Sequence, residues 1–189
     1  MTDDPSVYPG TGTLVNLLDI RDRDELEGYE RLLTANRLET LPRRFALTPS
    51  GYRQIHRYLF QDVYAWAGRY RTVNIAKGND MFCLVPHIAA QMEQRFAMIR
   101  AENGLKALDR QTFAIRAAEH TCELNAIHPF REGNGRTLRA FLEVLADQAG
   151  HRFDLHLIDP VAWNEASIAG FRHAAYGEME RVLLDILVA

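Results

Sequence analysis

Apolar residues recur at helical spacing through most of this chain, and that periodicity limits its fold more than any other feature. Tyr52, Ile55, Leu59, Val63 and Trp66 form one stripe, and Ile88, Met92, Phe96 and Ile99 another. Phe113, Ala117, Thr121 and Leu124 repeat the pattern, and Ala114, Ala118 and Cys122 widen it into a surface suited to a central, closely packed helix. Leu138, Phe141, Leu142, Leu145 and Ala149 follow the same spacing. Leu26, Tyr29 and Leu33 mark a first helix from about 23 to 37.

Local punctuation bounds these segments. Thr48 caps the second helix, with Pro49 at its first position, and Gly68 closes it. Pro86 opens the next and Asn103-Gly104 stops it. Asp109 caps the helix that ends before Ile127-His128. Asp159-Pro160 caps a short helix, which Gly170 separates from a last one bearing Phe171, Ala175, Met179, Val182, Leu183 and Ile186. Only between 70 and 86 does the period change. There Arg71 to Ile75 and Met81 to Val85 are β-prone runs around the polar tip Ala76-Lys77-Gly78-Asn79-Asp80. Residues 1–20, with Pro9-Gly10 and Thr11-Gly12, read as an irregular arm. The expectation is an all-α, mainly helical fold in one domain over 1–189, with a single β-hairpin.

Charge and cysteine usage narrow the function classes. A formal charge of −3 gives no general attraction to nucleic acid or an anionic membrane. Cys83 and Cys122 are isolated among apolar residues, which favours reduced thiols over a disulfide or a structural zinc site. The start carries Asp3, Asp4 and Pro5 in place of a basic segment and apolar run, so no signal peptide is read there. No apolar stretch is long enough to span a bilayer, and a cytoplasmic protein is expected.

Chemistry concentrates between 128 and 139: His128-Pro129-Phe130-Arg131-Glu132-Gly133-Asn134-Gly135-Arg136-Thr137-Leu138-Arg139. The helical stripe that follows places a helix start near Asn134 or Gly135. A glycine-flanked loop entering a helix offers free N–H groups and the positive end of the helix dipole, a phosphate site. Arg136 and Arg139, three apart, share a helix face and can reach one anion. Each residue also has a plainer reading. His128 can be an ordinary loop histidine, Glu132 a solvated carboxylate, and Gly133-Asn134-Gly135 a turn. Arg139 can pair with Glu143 at i,i+4.

Together these residues resemble the signature of Fic-domain proteins, H-P-F-x-[DE]-G-N-G-R-x-x-R, at every fixed position. Tyr8-Pro9-Gly10-Thr11, the run Leu59 to Gly68 and Arg71-Thr72-Val73-Asn74-Ile75 resemble flanking segments of bacterial Fic toxins. The resemblance implies a Fic fold: a helical bundle around a central motif helix pair, with the 70–86 hairpin as a flap. It implies transfer of AMP from ATP to a Ser, Thr or Tyr hydroxyl of another protein. His128 would be the general base and Glu132 the Mg²⁺ ligand. Gly133, Asn134, Gly135, Arg136 and Arg139 would bind the nucleotide phosphates, and Phe130 would anchor the loop in the core. Lys77, Gly78, Asn79 and Asp80 would hold an extended target segment. Asn164 and Tyr176 would line the base pocket, although Tyr176 can equally be core.

Two details refine the resemblance. Doc kinases, which resemble this motif, carry Lys in the place of Gly135, so AMP transfer is favoured over phosphorylation; a Doc-like kinase and an inactive binding module are the alternatives. Many Fic proteins carry an inhibitory helix of pattern [ST]-x-x-x-E-[GN]. Here Glu27-Gly28 is preceded at that distance by Arg23, and Glu102-Asn103 by Met98, so neither fits. The chain therefore resembles the class restrained by a separate small antitoxin, whose glutamate would meet Arg139. Toxins of that class imply a type II topoisomerase as target.

Overall fold

The computed structural model describes residues 4–188, which contain seven α-helices and two two-stranded sheets. Met1 to Asp3 of the expected arm, and Ala189 at the far end, lie outside the described residues. The arm's described part, residues 4–20, carries one bridge between Val7 and Leu14. It is fastened at both ends. Leu17 N–H donates to Val63 O at 2.8 Å, and Arg131 pairs with Asp4 at 2.9 Å.

Helix α1 spans Arg23–Glu39, and its Asp22 cap accepts from Glu25 N–H. It is largely exposed and buries Leu26, Glu30 and Thr34. Helix α2 spans Pro49–Phe60 under a Thr48 cap. It ends before the Val63 and Trp66 of its expected stripe. A run of turns continues instead, with Tyr64 N–H on Phe60 O at 2.9 Å and Arg69 N–H on Trp66 O at 2.9 Å. Such turns keep near-helical spacing, so Val63 and Tyr64 are still buried.

The hairpin is shorter and lies further out than the β-prone runs suggested. Strand β1 is Ala76–Lys77 and β2 is Asp80–Met81, joined through Gly78 at φ 61° and Asn79. The ladder therefore occupies the segment expected as the tip. The flanking runs are joined only sparsely, by Phe82 N–H on Ile75 O at 3.2 Å and Val85 N–H on Asn74 Oδ1 at 3.0 Å, and Cys83 N–H turns away to Ala126 O at 3.2 Å.

Helices α3 (Ile88–Ala101), α4 (Arg110–Ile127) and α5 (Asn134–Ala149) follow. Helix α6 (Pro160–His173) runs straight through Gly170, and the break falls at Ala174, φ 50°, before α7 (Gly177–Ile186). Gly170 is there for packing. A Cβ on it would lie 2.5 Å from Cys122 Sγ, so its absence lets α6 rest on α4. Helix α4 packs against α3, α5, α6 and α7 and is the centre of the bundle. A second sheet, β3 (Arg152–Phe153) with β4 (Leu187–Val188), is too short to leave an alternating pattern in the sequence. Tyr52, Phe96, Phe113, Phe130 and Phe141 are fully buried. Truncating one such aromatic costs about 3–5 kcal/mol. Among the described residues no helix is long and apolar enough to cross a membrane.

Candidate functional site

Helix α4 stops because His128 turns left-handed, φ 49° and ψ 61°, with its N–H still on Leu124 O at 3.2 Å. Pro129 disfavours a helical residue before it. This conformation costs a non-glycine residue roughly 1 kcal/mol, so neighbours must hold it. His128 Nδ1 lies 3.1 Å from Asn125 O, which places the ring proton on Nδ1 and leaves the Nε2 lone pair free. The Phe82 ring stacks on the imidazole at 3.9 Å and 15°. Burial pushes the His128 pKa down to about 4; Arg71 and Lys77 push the same way, and the Asn125 bond opposes them. The ring is neutral at pH 7.

The loop after it is built from beneath. Phe130 is fully buried, 3.8 Å from the His56 ring and 5.7 Å from Tyr52. Asn134 clamps the loop with both ends of its amide. Its Oδ1 accepts from Phe130 N–H at 2.9 Å, and its Nδ2 donates to Phe130 O at 2.8 Å. That side chain is spent on structure, so only the Asn134 backbone N–H is left for a phosphate. Gly133 sits at φ 78°, and a Cβ there would fall 2.2 Å from the Phe60 ring. His56 bridges Glu132 O at 3.0 Å and Gly68 N–H at 2.9 Å, and burial holds its pKa near 3.

Helix α5 then begins at Asn134 with no side-chain cap. Its first N–H groups have no intrahelical acceptor and carry the dipole's positive end. The Gly133 N–H is taken by Glu132 Oε1 at 2.8 Å. Gly135 has open space where a Cβ would be, apart from Arg139 Nη1 at 3.5 Å.

The two arginines are not equivalent. Arg136 donates to Glu30 on α1, to Thr34 Oγ1 at 3.3 Å and to Glu132 Oε1 at 3.4 Å, and lies over the Phe60 ring at 4.7 Å. Arg139, half-buried, lies over the Trp163 ring at 5.9 Å and has no carboxylate partner among the described residues. Glu143 instead approaches Arg43 at 3.8 Å, so the i,i+4 pair with Arg139 is not formed. A cavity of about 520 Å³ is lined by Glu30, Tyr64, Arg131, Glu132, Arg136 and Arg139, together with the arm and α1. His128 is not part of that lining; it faces the flap.

The flap leans on α6. Lys77 Nζ donates to Asn164 Oδ1 at 3.3 Å, and Arg172 pairs with Asp80 at 3.0 Å. Gly78 and Asn79 are exposed at the turn. Asn164 thus faces the flap. The Tyr176 hydroxyl donates to Glu123 on α4 at 2.6 Å, in a network with Arg95 and Glu119. Among the described residues no group of three or more His, Cys, Asp or Glu side chains could hold a metal ion. Glu132 is a single carboxylate.

Four residues that the sequence reading passed over border the site: Glu30, Arg71, Phe82 and Arg172. Glu30 and Thr34, polar residues at i,i+4 buried beside Leu26 on the largely exposed α1, left a weak trace. Arg71 and Phe82 flank the hairpin and carried no local signal.

The Fic/DOC family model matches residues 46–146, from α2 through most of α5. A probable protein adenylyltransferase of Sinorhizobium fredii is 40% identical over 171 residues, 89% of this chain and 88% of that protein. The protein adenylyltransferase VbhT of Bartonella schoenbuchensis is 39% identical over 90% of this chain and 36% of its own length. Among solved structures, the BepC protein of Bartonella tribocorum with bound AMPPNP superposes with a TM-score of 0.90 at 27% identity, covering 98% of this chain and 97% of that one. The N-terminal Fic domain of a Bartonella quintana effector with bound ADP gives 0.91 at 29% identity, covering 97% and 94%. The helical architecture, the 128–139 loop and these likenesses agree: the chain belongs to the Fic/DOC family.

Proposed function

We propose that this chain is a protein adenylyltransferase that moves AMP from ATP to a Ser, Thr or Tyr hydroxyl of another protein. The observation that carries this is the neutral His128, with Nε2 free, on the loop that runs into the uncapped start of α5. Relatives named as protein adenylyltransferases, and Fic structures holding AMPPNP or ADP, support it.

In this reading the target hydroxyl oxygen bonds to the α-phosphorus. Its proton goes to His128 Nε2. The bond from that phosphorus to the oxygen bridging to the β-phosphate breaks, and pyrophosphate leaves. The free N–H groups at Asn134, Gly135 and Arg136 cradle the phosphates, and Arg139 takes their outer charge. A lone carboxylate suits Mg²⁺, which is held by one or two carboxylates plus substrate phosphates and needs no protein cage. Glu132 would hold that ion, which would offset phosphate charge. Lys77, Gly78, Asn79 and Asp80 would receive the target segment along the flap, beside Asn164.

The chain acts, in this reading, as a cytoplasmic toxin restrained by a small antitoxin. The unpartnered Arg139 in an open cavity between the motif, the arm and α1 supports such control, because a helix laid there could offer it a glutamate. A type II topoisomerase subunit is the target class implied by the family resemblance.

The test is incubation in bacterial lysate with ATP labelled at the α- or the γ-phosphate. Labelled protein with the α-label, lost in His128→Ala, is expected. Labelling from the γ-phosphate alone would identify a kinase, and no labelling with either would leave a binding module.

A further inference from the structure

We infer that Arg71 is a positioning residue that locks the flap and the His128 loop into one unit, so that the base is aimed only when both flap roots are in place. This rests on the transfer reading above. The Arg71 side chain is buried, at 4% exposure, yet meets no carboxylate. All its bonds go to backbone carbonyls. Nε donates to His128 O at 2.9 Å, Nη1 to Val73 O at 2.9 Å, and Nη2 to Cys83 O and to Ile127 O at 3.3 Å. Its own backbone N–H donates to Pro129 O at 2.9 Å.

These acceptors lie on three separate pieces of chain. Val73 belongs to the segment entering the hairpin and Cys83 to the segment leaving it. Ile127, His128 and Pro129 form the turn at the end of α4. A planar guanidinium with five donors can satisfy this fan of carbonyls; an ammonium has three donors and no fixed plane. The residue beside Cys83 is Phe82, whose ring stacks on the imidazole. The same side chain therefore fixes the backbone beneath His128 and the aromatic lid above it. The left-handed turn at His128 is a strained conformation, and it keeps Nδ1 on Asn125 O with Nε2 unbonded. Releasing the carbonyls of Ile127 and His128 frees that turn.

Lys77, Asn164, Asp80 and Arg172 join the flap to α6. A target segment laid along the flap thus presses on a hairpin whose roots are tied, through Arg71, to the base. The groups proposed to meet the nucleotide, Glu132 to Arg139, make no bond to Arg71, whose side-chain donors all go to Val73, Cys83, Ile127 and His128.

The experiment compares wild type, Arg71→Lys and Arg71→Ala. Arg71→Lys should lower kcat for transfer by on the order of 100-fold, the scale of a misplaced reacting group, while the Kd for ATP by calorimetry stays within about twofold. Nitrogen NMR of His128 should show a single Nδ1–H tautomer in wild type and a mixture in Arg71→Lys. Millimolar guanidinium should restore transfer to Arg71→Ala, and ammonium should not. Wild-type kcat and an unchanged tautomer in Arg71→Lys overturn the inference. So does loss of ATP binding and cooperative unfolding in step with transfer, which would make Arg71 a general structural residue. Wild-type protein that transfers nothing would count against the functional reading alone, since the tautomer measurement still decides the role of Arg71.

Discussion

Glu30 on α1 accepts from Arg136 of the motif through one oxygen and from the Tyr64 hydroxyl through the other. This pair decides what Glu132 is free to do. Arg136 also stands 3.4 Å from Glu132 Oε1, so two carboxylates compete for one guanidinium. The buried Glu30 holds it more closely and leaves Glu132, about half exposed, to face the cleft. With Glu30→Gln, Arg136 should swing onto Glu132 and neutralise it. The expected result is an apparent Mg²⁺ requirement raised about tenfold, read by titrating the ion against the transfer rate. Stability should fall by about 1–3 kcal/mol in denaturant unfolding, since a buried partner is lost. An unchanged Mg²⁺ curve would show that Glu30 has no influence on Glu132.

The glycines of the motif separate fold from function. Gly133→Ala should destabilise the protein by about 3 kcal/mol or more. A left-handed φ of 78° and a clash at 2.2 Å with the Phe60 ring act together. Gly78→Ala, at φ 61° but with nothing within 4 Å, should cost about 1 kcal/mol. Gly135→Ala meets only the far end of Arg139 and lies inside α5, so stability should hold or rise by up to about 1 kcal/mol. A fall in ATP affinity in that stable variant would report how closely phosphate approaches the backbone. Equal unfolding midpoints for Gly133→Ala and wild type would remove the argument from Phe60.

How much of this was legible beforehand depends on the range of the interaction. Stripes such as Ile88-Met92-Phe96-Ile99 and caps such as Thr48, Asp109 and Asp159 are local, and α2, α4 and α6 begin where they indicate, while Pro86 opens only a 3-10 turn and α3 starts two residues later at Ile88. Gly170 misled because a helix-breaking residue and a close-packing residue look alike without the Cys122 side chain beside it. The hairpin was displaced because the carbonyls of its flanks are claimed by Arg71, 12 residues before Cys83 and 57 before His128. Glu30 meets Arg136 across 106 residues, a separation that no local pattern records. The motif marked the candidate site residues; the groups that hold them come from α1, α2 and the hairpin.

Arg139→Ala tests the free guanidinium. Its charge is partly buried and unpaired, and burial together with Arg136 lowers its pKa. Removing a cation that has no ion-pair partner should change the unfolding midpoint little. ATP affinity should fall by about 10- to 100-fold, the scale of one charge-assisted contact to phosphate. A partner protein that inhibits the wild type through this residue should lose affinity as well. Calorimetry with each ligand gives both numbers, and full ATP affinity in the variant would remove Arg139 from the phosphate site.

The pH dependence follows from His128. Its folded pKa of about 4 lies below the ordinary histidine value, so the ring is already neutral across pH 5–8. The acid limb of kcat/KM for transfer should therefore fall near pH 4 and not near 6.5. The linked effect on folding has a definite sign. Between about pH 6.5 and 4 the unfolded chain binds a proton at this site that the folded chain refuses. Stability from this group is complete above pH 6.5 and is lost as pH falls towards 4. Replacing Phe82 by Ala removes the ring stacked on the imidazole and opens it to water, which should move the acid limb upward towards 6.5. A limb that stays at the same pH in Phe82→Ala would mean that the stack does not shield the base.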